Sequence, residues 1–164
     1  MGQISASAEA VGDVDLRRLN RGTVEAYLEQ VKGQRRLERH RLFVEDGSSG
    51  LQTTETGRPI VITGRNKLAD HAVWSLECFP DWEWYNVALF ETQDPNRFWV
   101  ECDGAGTICF PGYPKGRYEN HFLHSFLLDN GKIVQSREFM NPCVQLRALG
   151  IDVPTIRRAG IPAD

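Results

Sequence analysis

The tetrapeptide Asp129-Asn130-Gly131-Lys132 constrains the fold of this chain more than any other short segment. Asn-Gly supplies the two positive-φ residues of a type I′ turn, whose twist matches that of the strands it joins. The turn therefore predicts a hairpin between Tyr118–Leu128 and Ile133–Met140. Two further runs alternate with period two, Trp82–Glu91 and Arg97–Phe110, and the turn-rich loop PGYPKG, Pro111–Gly116, follows them. Asn141-Pro142 has the form of an N-cap followed by proline at the first helical position, so Cys143–Leu149 is expected to be a short helix ended by Gly150.

The first half reads differently. Leu16, Leu19, Val24, Tyr27, Leu28 and Val31 roughly keep a helical stripe, with a start near Asp13 or Asp15 and a stop at Gly33. Leu42-Phe43-Val44 begins a strand expected to turn at Asp46-Gly47, with Gly47–Gly50 as a loop. Pro59–Thr63 is β-branched and strand-like, and a helix from about Asn66 ends before Pro80. Helices first and a mostly antiparallel sheet afterwards argue an α+β fold. The 164 residues suit one domain over 12–164 with an extended C-terminal tail, preceded by a tail over 1–11 expected to be disordered.

If Asn130-Gly131 is a two-residue turn, Leu123 faces Glu138. One sheet face then carries His121, Leu123, Ser125, Leu127, Val134, Glu138 and Met140. The other carries Phe122, His124, Phe126, Ile133, Arg137 and Phe139. Both are substantially apolar, and the helices can cover only one. A second subunit is the natural cover for the other, so a dimer burying Phe122, Phe126 and Phe139 is expected.

Within the helix from Asn66, His71 and Ser75 lie one turn apart on the stripe that also holds Leu68, Ala72 and Phe79. An inward imidazole is either a satisfied core residue or the wall of a pocket. Glu138, on an apolar strand face, would have its carboxyl pKa raised toward neutrality, which suits general acid/base work; it could equally pair with an arginine. The spacing of His121 and His124 puts them on opposite strand faces, which argues against a metal site. A net charge of −3 gives no field that calls for nucleic acid. The basic run Arg17–Arg41 reads mainly as a solvated helix face, although one of its arginines could hold an anion. Cys78, Cys102, Cys109 and Cys143 contain no C-x-x-C pair and read as reduced, mostly buried thiols. With no apolar run of membrane-spanning length, a cytoplasmic protein is expected.

Three long segments, HAVWSLECFPDWEWYN (71–86), FWVECDGAGTICFPGYPKGRYENHFLHSF (98–126) and SREFMNPCVQLRALGIDVP (136–154), resemble the phenazine-biosynthesis A/B proteins, as does Leu42–Leu68. The resemblance implies the SnoaL-like, ketosteroid-isomerase-like cone, a curved sheet wrapped around helices. It implies dimerisation through the sheet, as a homodimer or with a sister copy. It also implies cofactor-independent, acid/base-assisted condensation of two amino-ketone cyclohexene carboxylic acid molecules through two C=N bonds. By the same resemblance Glu138 and His71 match the acid/base pair and Ser75 a ligand-contacting serine. Arg39 matches an arginine near the substrate carboxylate that could reach across a dimer, and Tyr118 and Trp74 match pocket walls. The alternatives are a non-catalytic protein that shields the unstable ketone, and an isomerase or cyclase of the same fold.

Overall fold

The computed structural model describes residues 4–162. Helix α1 spans Ile4–Glu29, a 3-10 segment follows over Gly33–Leu42, and β1 (Phe43–Leu51) and β2 (Ile60–Thr63) lead into α2 (Arg65–Cys78). Strands β3 (Glu83–Glu91), β4 (Arg97–Ile108), β5 (Gly116–Asp129) and β6 (Lys132–Met140) come next, and α3 (Pro142–Ala148) closes the order. The six strands form one curved sheet in the order β2-β1-β6-β5-β4-β3. Every neighbouring pair is antiparallel except β1–β6, which is parallel. The architecture is the expected α+β cone.

Helix α1 begins at Ile4, not near Asp13 or Asp15. The segment SASAEA, inside the stretch read from sequence as a tail, holds three alanines, the residue with the strongest helix propensity, which favours this earlier start. Residues 1–3 of that tail lie outside the described residues. Val24, Tyr27, Leu28 and Val31 point into the core, but Leu19 is exposed at 52% and lies over the turn at Gly131. Asn20, fully buried, ties the helix to two turns: its Nδ2 donates to the Pro95 carbonyl at 2.9 Å, and the Gly131 amide donates to its Oδ1 at 2.9 Å.

The turn expected at Asp46-Gly47 is absent, because β1 continues to Leu51 and pairs with both β2 and β6. The glycines permit this. A Cβ on Gly47 would sit 3.0 Å from the Ile133 carbonyl oxygen, and one on Gly50 would sit 3.1 Å from a Val61 methyl. What reads in sequence as a flexible loop is backbone packed too closely for side chains. Gly104 on β4 serves the same end, since a Cβ there would meet the Trp82 ring at 2.4 Å.

The Asn130-Gly131 turn forms as expected, with φ of 44° and 79° and Asp129 opposite Lys132. The register beyond it does not. Leu128 pairs with Ile133 but Leu127 pairs with Gln135, so Val134 is an extra, bulged residue on β6. One extra residue moves the rest of the strand to the other face. Glu138 is therefore opposite His124, not Leu123, and Leu123 is opposite Phe139. The concave face carries Phe122, His124, Phe126, Glu138 and Met140, and the convex face carries Leu123, Ser125, Arg137 and Phe139. Phe122 and Phe126 are buried within the chain's own core, so they cannot form the expected subunit contact. Of the three residues expected there, only Phe139 faces outward, stacked on Trp99 at 6.2 Å between ring centroids.

Candidate active site

The helices cover the concave face incompletely, leaving a cavity of about 490 Å³. That lies within the roughly 300–1,000 Å³ typical of small-molecule sites. Its floor is aromatic, with Trp82, Trp84, Phe79, Phe110 and Phe122, and aliphatic residues of β1 and β2 form one side. Trp74 and Ile60 line it yet are 41% and 59% exposed, which places them at the mouth.

Helix α2 supplies one wall. It starts after Gly64, whose φ of 99° turns the chain from β2 into the helix. Leu68 and Ala72 dock into the body of the protein, and Ser75 and Cys78 are buried further along the helix. His71 is half-buried with its ring stacked on Trp74 at 5.4 Å. Burial, with Arg39 as a second cause, lowers its pKa to about 4. His71 is therefore neutral at pH 7, able to donate from one ring nitrogen and accept at the other.

The opposite wall is the sheet. Glu138 projects from β6 into the cavity, and no side-chain or backbone donor among the described residues hydrogen-bonds its carboxylate. A third of its side chain remains accessible, and it lines the cavity. Burial raises its pKa to about 7, against a smaller lowering by Arg39. The carboxylic acid form is therefore available near neutral pH. Tyr118, from β5, is also buried, and its hydroxyl accepts from Asn120 Nδ2 at 2.9 Å. Burial pushes its pKa up, so it stays protonated.

The 3-10 segment forms the third wall. In a 3-10 helix residues three apart are eclipsed, so Arg36 and Arg39 share one edge and both reach the cavity. Arg39 is half-buried, with its guanidinium 4.5 Å from the centre of the Tyr27 ring. It lines the cavity of its own chain. Arg36 is almost fully buried. It donates to the carbonyls of Val31 at 2.7 Å, Ser75 at 2.7 Å and Phe79 at 2.8 Å, and its Nη1 is also 3.3 Å from the Ser75 hydroxyl. Burial lowers its pKa to about 10, which leaves it charged.

All six residues singled out in the sequence, Glu138, His71, Ser75, Arg39, Tyr118 and Trp74, line this one cavity. Two were missed. Arg36 was hidden because the arginine-rich run reads as a solvated face, and a spacing of three becomes informative only once a 3-10 segment is recognised. His124 lies behind Glu138 and could be placed there only with the Val134 bulge. Among the described residues no cluster of three His, Cys, Asp or Glu could hold a metal ion. All four cysteines are free, two buried and two half-buried. No helix of the described chain is long and apolar enough to cross a membrane.

A curved sheet wrapped around helices, enclosing an aromatic cavity with titratable groups on both walls, defines the SnoaL-like fold. A SnoaL-like putative polyketide cyclase from Jannaschia has the same fold at a TM-score of 0.65 and 16% identity, covering 83% of this chain and 94% of that one. The chain belongs to the phenazine biosynthesis protein A/B family, whose sequence profile matches residues 3–163. It is 70% identical to phenazine biosynthesis protein PhzB of Pseudomonas fluorescens over 151 residues, 92% of this chain and 93% of that protein. The crystal structure of a phenazine biosynthesis-related protein, phzb2, from Pseudomonas aeruginosa superposes with a TM-score of 0.89 at 70% identity, over 91% of each chain.

Proposed function

We propose that this protein acts in phenazine biosynthesis as an enzyme that condenses two amino-ketone cyclohexene carboxylic acid molecules. The observation that carries the reading is Glu138: a carboxyl with a pKa of about 7, facing an aromatic cavity shared with a neutral histidine and two arginines. The amine of each reactant adds to the ketone of the other. Each addition gives a carbinolamine, and Glu138 gives its proton to the hydroxyl as the C–O bond breaks and water leaves. The resulting iminium loses its N–H proton to the Glu138 carboxylate, directly or by way of neutral His71, which restores the acid. Two such steps release two waters and close the central ring, with no change of redox state.

Arg39 supplies the positive charge for a reactant carboxylate, and the Ser75 hydroxyl offers a further polar contact. The aromatic floor suits flat rings. A reactant of about eleven non-hydrogen atoms fills roughly 200–300 Å³ at somewhat less than the liquid volume of one water per atom, so two need roughly 400–600 Å³, the same size as the cavity of about 490 Å³. Holding two reactants together contributes several kcal/mol, and positioned proton transfer typically adds about 10²–10⁴-fold. Each step is acid/base chemistry and needs no cofactor.

The convex sheet face, with Phe90, Trp99, Leu123 and Phe139, suits a second copy of the chain, so the working form is a dimer. The four free thiols fit a cytoplasmic setting.

The test is Glu138→Ala, assayed for tricycle formation and, by calorimetry, for binding of a flat tricyclic carboxylic acid. The expected result is a rate at least about tenfold lower with binding retained. A rate near wild type in this variant would favour a shielding scaffold.

A further inference from the structure

His124 is 1% exposed, and no function has yet been given to it. Its ring is enclosed by aromatic side chains: Trp84 meets it edge-to-face at 5.0 Å, and Phe122 and Phe126 stack at 6.1 Å on either side. Its Nδ1 lies 3.7 Å from Oε2 of Glu138, its cross-strand partner. Its Nε2 is buried without a partner. Trp84 Nε1, which can only donate, is also buried without a partner.

A buried imidazole retained among phenylalanines needs a reason, because an unsatisfied ring nitrogen is costly. Burial lowers the His124 pKa to about 3, so the ring is neutral and carries one proton. Among the described residues no group lies within hydrogen-bond reach of Nε2, whereas Nδ1 has the Glu138 carboxyl, an acceptor, 3.7 Å away. The proton then belongs on Nδ1, the atom nearest the Glu138 carboxyl.

We infer that His124 is a positioning residue, whose Nδ1–H donates to Oε2 of Glu138 and so turns the other carboxyl oxygen toward the reactants. At 3.7 Å the two groups stand just beyond hydrogen-bond range, and the inferred bond requires a shift of a few tenths of an ångström. Pinning one oxygen leaves a single oxygen to carry the transferable proton. The idea rests on the acid/base role of Glu138 for its catalytic meaning but not for its geometry. The other charged or titratable groups around Glu138 are Arg36 and Arg39 from the 3-10 segment, Glu55 beyond β1, and His71 from α2. Tyr118 on β5 also lines the cavity, and Cys102 on β4, a thiol held up by burial, feels the Glu138 charge.

The experiment titrates the Glu138 carboxyl by carbon NMR in the full-length, ligand-free protein, in wild type, His124→Phe and His124→Asn. A lost donor to the carboxylate raises the midpoint in His124→Phe by about one pH unit. The asparagine amide occupies the Nδ1 position and returns the midpoint to near wild type. Tricycle formation follows, with kcat about tenfold lower in His124→Phe at little-changed KM. Nitrogen NMR of the wild-type ring, which needs no variant to fold, should show a protonated Nδ1 and a bare Nε2. An unmoved midpoint in His124→Phe, or a proton on Nε2, overturns the inference. If these shifts appear while Glu138→Ala keeps its full rate, His124 still positions the carboxyl and the catalytic reading of Glu138 is the part that fails.

Discussion

Arg36 Nη1 donates to the carbonyl oxygen of Ser75 at 2.7 Å, which joins the 3-10 segment to the last turn of α2. The same guanidinium reaches Val31 and Phe79, so one buried cation serves the C-terminal ends of α1 and α2 together. Carbonyls at helix ends lack intrahelical partners, and the helix dipole favours positive charge there. Arg36→Met keeps the volume of the stem but removes the guanidinium donor from the Val31 and Phe79 carbonyls and leaves the Ser75 carbonyl only the Phe79 amide. The expected loss is about 2–4 kcal/mol, a fall in Tm of roughly 5–15 °C for a domain of this size. A thermal melt within a degree or two of wild type would remove Arg36 from the structural account.

Glu138 links stability to pH in a way its replacement should expose. Its folded pKa, about 7, is above the ordinary carboxyl value. Between the two values the folded state holds more protons than the unfolded state, so this group makes the protein less stable as pH rises through that window. His71 at about 4 and His124 at about 3 act in the opposite sense, destabilising the fold as pH falls below the ordinary histidine value. Glu138→Gln removes only the first effect. The variant is expected to melt above wild type at pH 8, with the gap closing as pH falls through the ordinary carboxyl value, below which the group is neutral in both states. A pH-independent gap in calorimetric Tm would contradict the buried-acid description.

Much of this site was legible because its parts are local. The Asn130-Gly131 turn, the Asn141-Pro142 cap and the His71–Ser75 helical spacing each act within a few residues, and each appears in the structure. The β6 register was not legible, because the Val134 bulge is settled by packing across the sheet and nothing in the local sequence announces it. That single residue decides that Glu138 meets His124 and shares a face with Phe122 and Phe126. Gly47–Gly50 misled for a related reason. Loop and close-packed strand favour the same glycines, and only the positions of Phe43, Val61 and Ile133 distinguish them.

Arg39 is the charge that His71, His124 and Glu138 all feel. It lowers each of their pKa values, so Arg39→Gln is expected to raise all three. If the acid form of Glu138 drives dehydration, the wild-type rate falls as pH rises through about 7, and in Arg39→Gln that limb moves to higher pH. Loss of the cation also weakens binding of a carboxylate-bearing reactant, by roughly tenfold in KM for one charge-assisted contact. A pH–rate profile with an unmoved basic limb would separate Arg39 from the acid.

The convex face carries the last prediction. Phe90 is opposite Trp99 and Leu123 is opposite Phe139, and Phe90 and Leu123 are 51% and 41% exposed. Contiguous apolar residues of this size on a sheet face mark an interaction surface. The cavity opens on the other side of the sheet, so a charge introduced here should leave its lining intact. Leu123→Asp places a carboxylate beside Glu101, its cross-strand neighbour, and in the path of the same residue in a two-fold partner. The expected result in sedimentation velocity is a shift from dimer to monomer at micromolar concentration, with the far-ultraviolet spectrum and the melting cooperativity preserved. A second variant, Phe139→Asp, should do the same from β6. Wild type sedimenting as a monomer, or both variants remaining dimeric, would show that this face is not where two copies meet.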